Sequence, residues 1–167
     1  MIKFAKTKPQ AVVPTKRKED AGYDLYPCLK QGQEIVIKPH DTVMIPLGIA
    51  SAFSDEYVGL IQERGSTGTK GIAQRSGVID SGYRGEWLAP ITNTTTEIIR
   101  LVNRCDLTSD VFSKSVDYGM VTLTSDKAIA QVVFLPVVQE EVEEIPYKDL
   151  LEIDSERGAG RLGSSGK

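Results

Sequence analysis

Histidine, cysteine and tryptophan are scarce: one, two and one among 167 residues. A lone His40 supplies neither a histidine-based metal set nor a Ser-His-Asp triad, and within "KPHD" it reads as a solvated loop residue. Cys28 and Cys105 lie far apart and make no C-x-x-C pair, so they read as reduced structural thiols rather than zinc ligands. Long hydrophobic runs are missing too. The longest uncharged stretch, Thr42 to Ser54, has thirteen residues and is broken by Pro46 and Gly48, short of the roughly 20 that a helix needs to cross a bilayer. Lys3, Lys6 and Lys8 leave no apolar core for a secretory signal, and together these absences create the expectation of a soluble, cytoplasmic protein without membrane contact. Excess positive charge is also absent. Twenty Lys and Arg against 23 Asp and Glu give a formal charge of -3, with a pI near 5.3, which excludes a broad nucleic-acid-binding face. A few arginines gathered around one small anion remain compatible with that balance.

What is present is a 40% hydrophobic composition in a chain long enough for one compact domain, taken here as residues 1–167. Its apolar residues recur with a period of two. "TVMIPLGIA" alternates Val43, Ile45, Leu47 and Ile49 with smaller residues, the pattern of a strand with one buried face. "EIVIK", "YVGLIQ", "EIIRLV", "GMVTLT" and "AIAQVVFLPVV" are further strand candidates, β-branched and bounded by turn residues. No stretch gives three clean helical turns, so the expected class is all-β, a sandwich or barrel of Greek-key or jelly-roll type. Two segments interrupt the rhythm: the loop around Lys16 to Asp20, where five consecutive residues are charged, and a polar insert at about 103–119 with Val111, Phe112 and Val116 as its apolar anchors.

Glycines gather with arginines and hydroxyls in "ERGSTGTKGI", "SGVIDSGYRGEW" and the terminal "ERGAGRLGSSGK". This combination lets backbone N–H groups and guanidinium forks approach phosphate oxygens with no Cβ in the way. Neither common nucleotide motif accounts for it. "GSTGTKG" lacks the P-loop spacing, and "GAGRLG" matches G-x-G-x-x-G only at the end of the chain, with no helix or acidic residue after it.

In order and content the stretches resemble the trimeric, all-β dUTP diphosphatases, or dUTPases, through five motifs: "AGYDLY", "ERGSTGTKGI", "GVIDSGYRGE", "AIAQVVF" and "RGAGRLGSSG". The resemblance spans nearly the whole chain and implies a homotrimeric jelly-roll barrel that hydrolyses dUTP to dUMP and pyrophosphate, limiting uracil in DNA. The third motif is the most specific and reads as a hairpin, with Val78 and Ile79 entering, Ser81-Gly82 turning and Tyr83 leading away. The resemblance makes Asp80 the general base that deprotonates the water attacking the α-phosphorus. It places Tyr83 under the deoxyribose, and Gly77, Val78 and Ile79 along the uracil. Arg64, Gly65, Ser66, Gln74 and Gln131 complete the implied substrate set, with Gln131 reaching a metal only through water. Asp24 is implied to support either that water shell or an active-site arginine. The implied metal is Mg2+, held otherwise by substrate phosphates. The glycine-rich arm, residues 155–167, is implied to close over a site shared between subunits, with Arg157, Ser164 and Ser165 on the phosphates and Leu162 and Gly163 over the base.

This chain departs from the family pattern at named positions. Leu162 stands where a base-stacking phenylalanine is usual, with Arg161 before it in place of glycine. Gly65 replaces a common serine, leaving Ser66 as the hydroxyl, and Ala128 replaces an arginine, with Lys127 beside it. The insert falls where some phage relatives carry a segment that contributes to binding protein partners, and it reads equally as an idle surface loop. Two rival functions follow. One is a dCTP deaminase of the same fold, whose glutamate would fall at Pro90; the other is a nucleotide-gated regulator that binds a protein through the insert.

Overall fold

The computed structural model describes residues 1–106 and 119–159. The chain divides into two compact units, Met1–Val137 and Val138–Lys167. The first holds every described strand: β1 Lys3–Lys6, β2 Tyr23–Leu25, β3 Glu34–Ile37, β4 Thr42–Pro46, β5 Ile49–Ala52, β6 Tyr57–Gln62, β7 Ile72–Gln74, β8 Val78–Ile79, β9 Leu88–Asn93, β10 Ile98–Val102, β11 Met120–Thr124 and β12 Ala130–Pro136. A single helical turn, α1 Gly65–Gly68, follows β6. In the second unit, α2, Tyr147–Glu152, starts after Pro146, whose fixed φ suits a helix entry.

Pairing is nested. β2 pairs with β12, β3 with β10 and β4 with β9, each inner pair enclosed in sequence by the outer one and all antiparallel. A long hairpin folded over on itself gives this nesting, and it is the wiring of a jelly roll. The strands form sheets in the orders β2-β12-β6-β8, β4-β9-β7, β11-β10-β3 and β1-β5. The all-β class expected from the alternating pattern is the class found.

Two expectations about segments need correction. "TVMIPLGIA" is not one strand: it breaks at Gly48 into β4 and β5, which pair with β9 and β1 respectively. Ile45, Leu47 and Ile49 are all buried, so the alternation is genuine, but Gly48 adopts φ +67° and a Cβ there would stand 2.4 Å from Cys28 Sγ. The second correction concerns "GVIDSGYRGE". Its turn exists, yet β8 pairs with β6 and not with the residues after the turn. The chain beyond Tyr83 is drawn instead to the buried Trp87, whose backbone N–H donates to Ile49 O at 2.8 Å.

The core lies between the sheets and includes the fully buried Trp87, Leu25, Ile37, Ile45, Leu47, Ile49 and Val132. Phe134 collects Phe4, Tyr23 and Phe53 at centroid distances of 6.4, 5.9 and 5.0 Å, all edge to face, the arrangement that aromatic quadrupoles favour. His40 is an exposed turn residue at φ 64°. Cys28 is buried and Cys105 exposed, both free. No helix among the described residues is long and apolar enough to cross a membrane.

Candidate active site

The first cleft forms where β2, β12 and the end of β6 lie side by side. Register places Asp24 opposite Gln131, and Gln131 opposite Gln62. Arg64 leaves β6 directly into α1, whose buried Thr67 anchors it by donating to Arg64 O and Ile129 O at 3.1 and 3.2 Å. The guanidinium is fixed on three sides. Nε meets Asp24 Oδ1 at 2.8 Å, Nη2 donates to Asp24 Oδ2 at 3.4 Å, and Nη1 donates to Ser66 Oγ at 3.2 Å and Ala128 O at 3.1 Å. Of the two roles open to Asp24, the one visible here is as partner of an arginine. Gln131 Nε2 donates to Glu63 O at 2.8 Å, leaving Oε1 beside Gly22. These residues, with Gly65 and Ser66 exposed at the lip, line a cavity of about 710 Å³. Lys16, Arg17 and Asp20 line it as well. Their only signal in the sequence is the charged run that ends four residues before Asp24.

The second cleft, about 240 Å³, lies between residues 76–80 and 83–90. Gly77 enters it at φ +140°, and a Cβ there would stand 2.9 Å from Ile61 O, so only glycine lets the two backbones approach. Ile79 is buried and Val78 is 66% exposed, anchoring the strand on one face and offering an apolar wall on the other. The turn closes with Tyr83 N donating to Asp80 O at 3.1 Å. Tyr83 Oη donates to Glu86 O at 3.0 Å, and Arg84 Nη1 donates to Ser81 O at 2.6 Å and Ser51 O at 3.2 Å. Glu86 Oε1 accepts from Lys8 Nζ at 2.7 Å and from Gly48 N at 3.1 Å. Thus Lys8, Gly48 and Glu86 fasten the turn to the barrel. Among the described residues, nothing bonds the exposed Asp80 carboxylate.

The clefts share no lining residue. Gln131 pairs with Gln62, and Ile79 with Gly59, three residues further along the same strand β6; at normal strand rise and spacing these two residues stand roughly 14 Å apart. Gln74 lines neither cleft: its N–H donates to Glu63 Oε1 at 3.1 Å, and Nε2 to Arg75 O and Ser76 O. Arg157 is exposed in a turn in which Ser155 Oγ accepts from Arg157 N and Gly158 N. Leu162, Gly163, Ser164 and Ser165 lie outside the described residues, as does 107–118 of the insert.

The family profile for dUTPase matches residues 8–105. The chain belongs to the dUTPase family. Among curated dUTPases, the deoxyuridine 5'-triphosphate nucleotidohydrolase of Nautilia profundicola is 29% identical over 170 residues, covering 99% of both chains. That of Psychromonas ingrahamii is 36% identical over 152 residues, covering 88% of this chain and 82% of its own. A variant of the Staphylococcus bacteriophage 80alpha dUTPase, solved with dUpNHpp, superposes with a TM-score of 0.73 at 25% identity, covering 100% of this chain and 99% of the other. A dUTPase from phage phi11 of S. aureus shares the fold at TM-score 0.66 and 22% identity, over 87% of this chain and 96% of that one.

Proposed function

We infer that this dUTPase hydrolyses dUTP to dUMP and pyrophosphate by attack of water on the α-phosphorus, with Asp80 as general base. The observation that carries this reading is the contrast between the two acids of the second cleft. Glu86 is committed to Lys8 and Gly48, whereas the Asp80 carboxylate is held at a tight turn with no partner among the described residues. Asp80 accepts a proton from the attacking water, the bond from the α-phosphorus to the bridging oxygen breaks, and pyrophosphate departs with its electrons. The backbone of Gly77 to Ile79 faces the uracil, and Tyr83 walls off the deoxyribose so that a 2′-hydroxyl has no room.

Arg64, Gly65, Ser66 and Gln131 receive the phosphates, with Asp24 orienting Arg64 and Gln74 acting through the backbone it braces. A Mg2+ ion would be held by the substrate phosphates and by waters, and Gln131 Oε1 and Asp24 would meet only those waters. When bound, the ion neutralises charge on the phosphates. The roughly 14 Å between the clefts argues that one substrate uses Asp80 of one copy and Arg64 of another, in a homotrimer with shared sites. The arm, residues 155–167, closes over them with Arg157, Leu162, Gly163, Ser164 and Ser165, and 1–167 works as a single dUTPase-like domain in the cytoplasm. The insert is available to a protein partner. A deaminase is disfavoured, since Pro90 in the cleft offers no acid and Glu86 is already engaged.

The decisive measurement compares wild type with D80N. Turnover of dUTP should fall by about 10³-fold, within the range ascribed to a general base, while a non-hydrolysable dUTP analogue binds within about threefold of wild type. Undiminished turnover in D80N removes Asp80 from the mechanism.

A further inference from the structure

The charged run from Lys16 to Asp20 is anchored at both ends to the phosphate cleft. On one side Thr15 bridges to Asp24, whose N–H donates to Thr15 O at 2.9 Å. On the other, Gly22 lies so near Gln131 that a Cβ would stand 2.2 Å from Oε1. Between these anchors Lys16 Nζ donates to Asp20 O at 2.6 Å and stands 5.4 Å from the centre of the Tyr23 ring. Arg17 grips the Asp20 carboxylate through Nε at 2.9 Å and Nη2 at 3.2 Å. That hydrogen bonding holds the Asp20 carboxyl below the usual range. The charged residues of the cleft are Lys16, Arg17 and Arg64 against Asp20 and Asp24, a balance of +1 in a chain whose total is -3. Without Lys16 and Arg17 the balance becomes -1, a wall that repels the anion it has to hold.

We propose that Lys16 and Arg17 bind the terminal phosphates of the substrate and the pyrophosphate it releases, with Asp20 occupying Arg17 until phosphate displaces it. The proposal rests on the dUTP reading above. The Arg17 and Asp20 side chains are 88% and 39% exposed, and a pair so wet is weakly held. A phosphate carries more charge than a carboxylate and offers oxygens that match the guanidinium fork, so it can take the carboxylate's place. The loop therefore reads the number of phosphates, whatever base is attached.

Calorimetry on the full chain in magnesium buffer, titrating inorganic pyrophosphate and separately dUMP, tests this with K16A/R17A and D20N. Losing both cations should weaken pyrophosphate binding about tenfold and raise KM for dUTP by a similar factor, as expected for loss of charge-assisted contacts. D20N, which frees Arg17, should tighten pyrophosphate binding by about threefold, the scale of an exposed pair. Affinity for dUMP should stay unchanged in both. Unaltered pyrophosphate binding in K16A/R17A, or an equal loss for dUMP, overturns the proposal. A wild-type chain that releases no pyrophosphate from dUTP overturns the catalytic reading instead, and the calorimetry still decides the role of the loop.

Discussion

Tyr83 is held at both ends, its backbone by the turn from Asp80 and its hydroxyl by Glu86 O at 3.0 Å, while the residue is 44% exposed and lines the cleft. A ring so braced can act as a rigid wall, and a wall discriminates by excluding an atom rather than by binding one. Gly85 permits the arrangement, since a Cβ there would clash with the Tyr83 hydroxyl. Removing the wall and removing its brace should therefore differ. Y83A should let UTP in, lowering the ratio of kcat/KM for dUTP over UTP by at least about tenfold. Y83F keeps the ring and loses one hydrogen bond, worth about 1 kcal/mol, and should keep most of the preference. Steady-state kinetics with the two nucleotides separates the cases, and an unchanged ratio in Y83A would move the sugar filter elsewhere.

Among the elements, β4 and β5 owe their separation to Gly48, which turns one apolar alternation into two strands in different sheets. Ala11, Cys28 and the positive φ together leave no space for a side chain, so G48A should destabilise the fold by about 2–4 kcal/mol and lower Tm by roughly 5–10 °C. A thermal melt within a degree or two of wild type would show that the break tolerates a Cβ. The same residue shows where the sequence was legible. Strands β3, β6, β10, β11 and β12 stand out because β-branched residues alternate or run together between turn residues. β2 and β7 have only three residues each, too few to show a period, and β9 is buried at five of its six positions and contains Pro90, so it neither alternates nor resembles a strand. Most residues that line the two clefts were legible in the motifs. Their assignment to clefts was not, because it depends on the β6 register, and the Lys8–Glu86 clamp joins residues 78 positions apart.

At the scale of the whole molecule, the question is how two clefts on one chain serve one small substrate. In the proposed mechanism the α-phosphorus lies beside a water held by Asp80 while the following phosphates reach Arg64 and Ser66, yet β6 sets Gln131 of one cleft and Ile79 of the other roughly 14 Å apart at ordinary strand dimensions. Pairing the acid cleft of one copy with the arginine cleft of another removes the conflict, and it makes a quantitative demand on mixtures of inactive chains. D80N and R64A should each be nearly inactive as homotrimers. In trimers reassembled at random from equal amounts, a site works only when its acid comes from an R64A chain and its arginine from a D80N chain, so about one quarter of wild-type activity should return in a cyclic assembly. If each chain used its own two clefts, every site in the mixture would carry one lesion and no activity would return. Pyrophosphate release measured before and after co-refolding distinguishes these outcomes, and recovery should fall on dilution wherever the trimer comes apart.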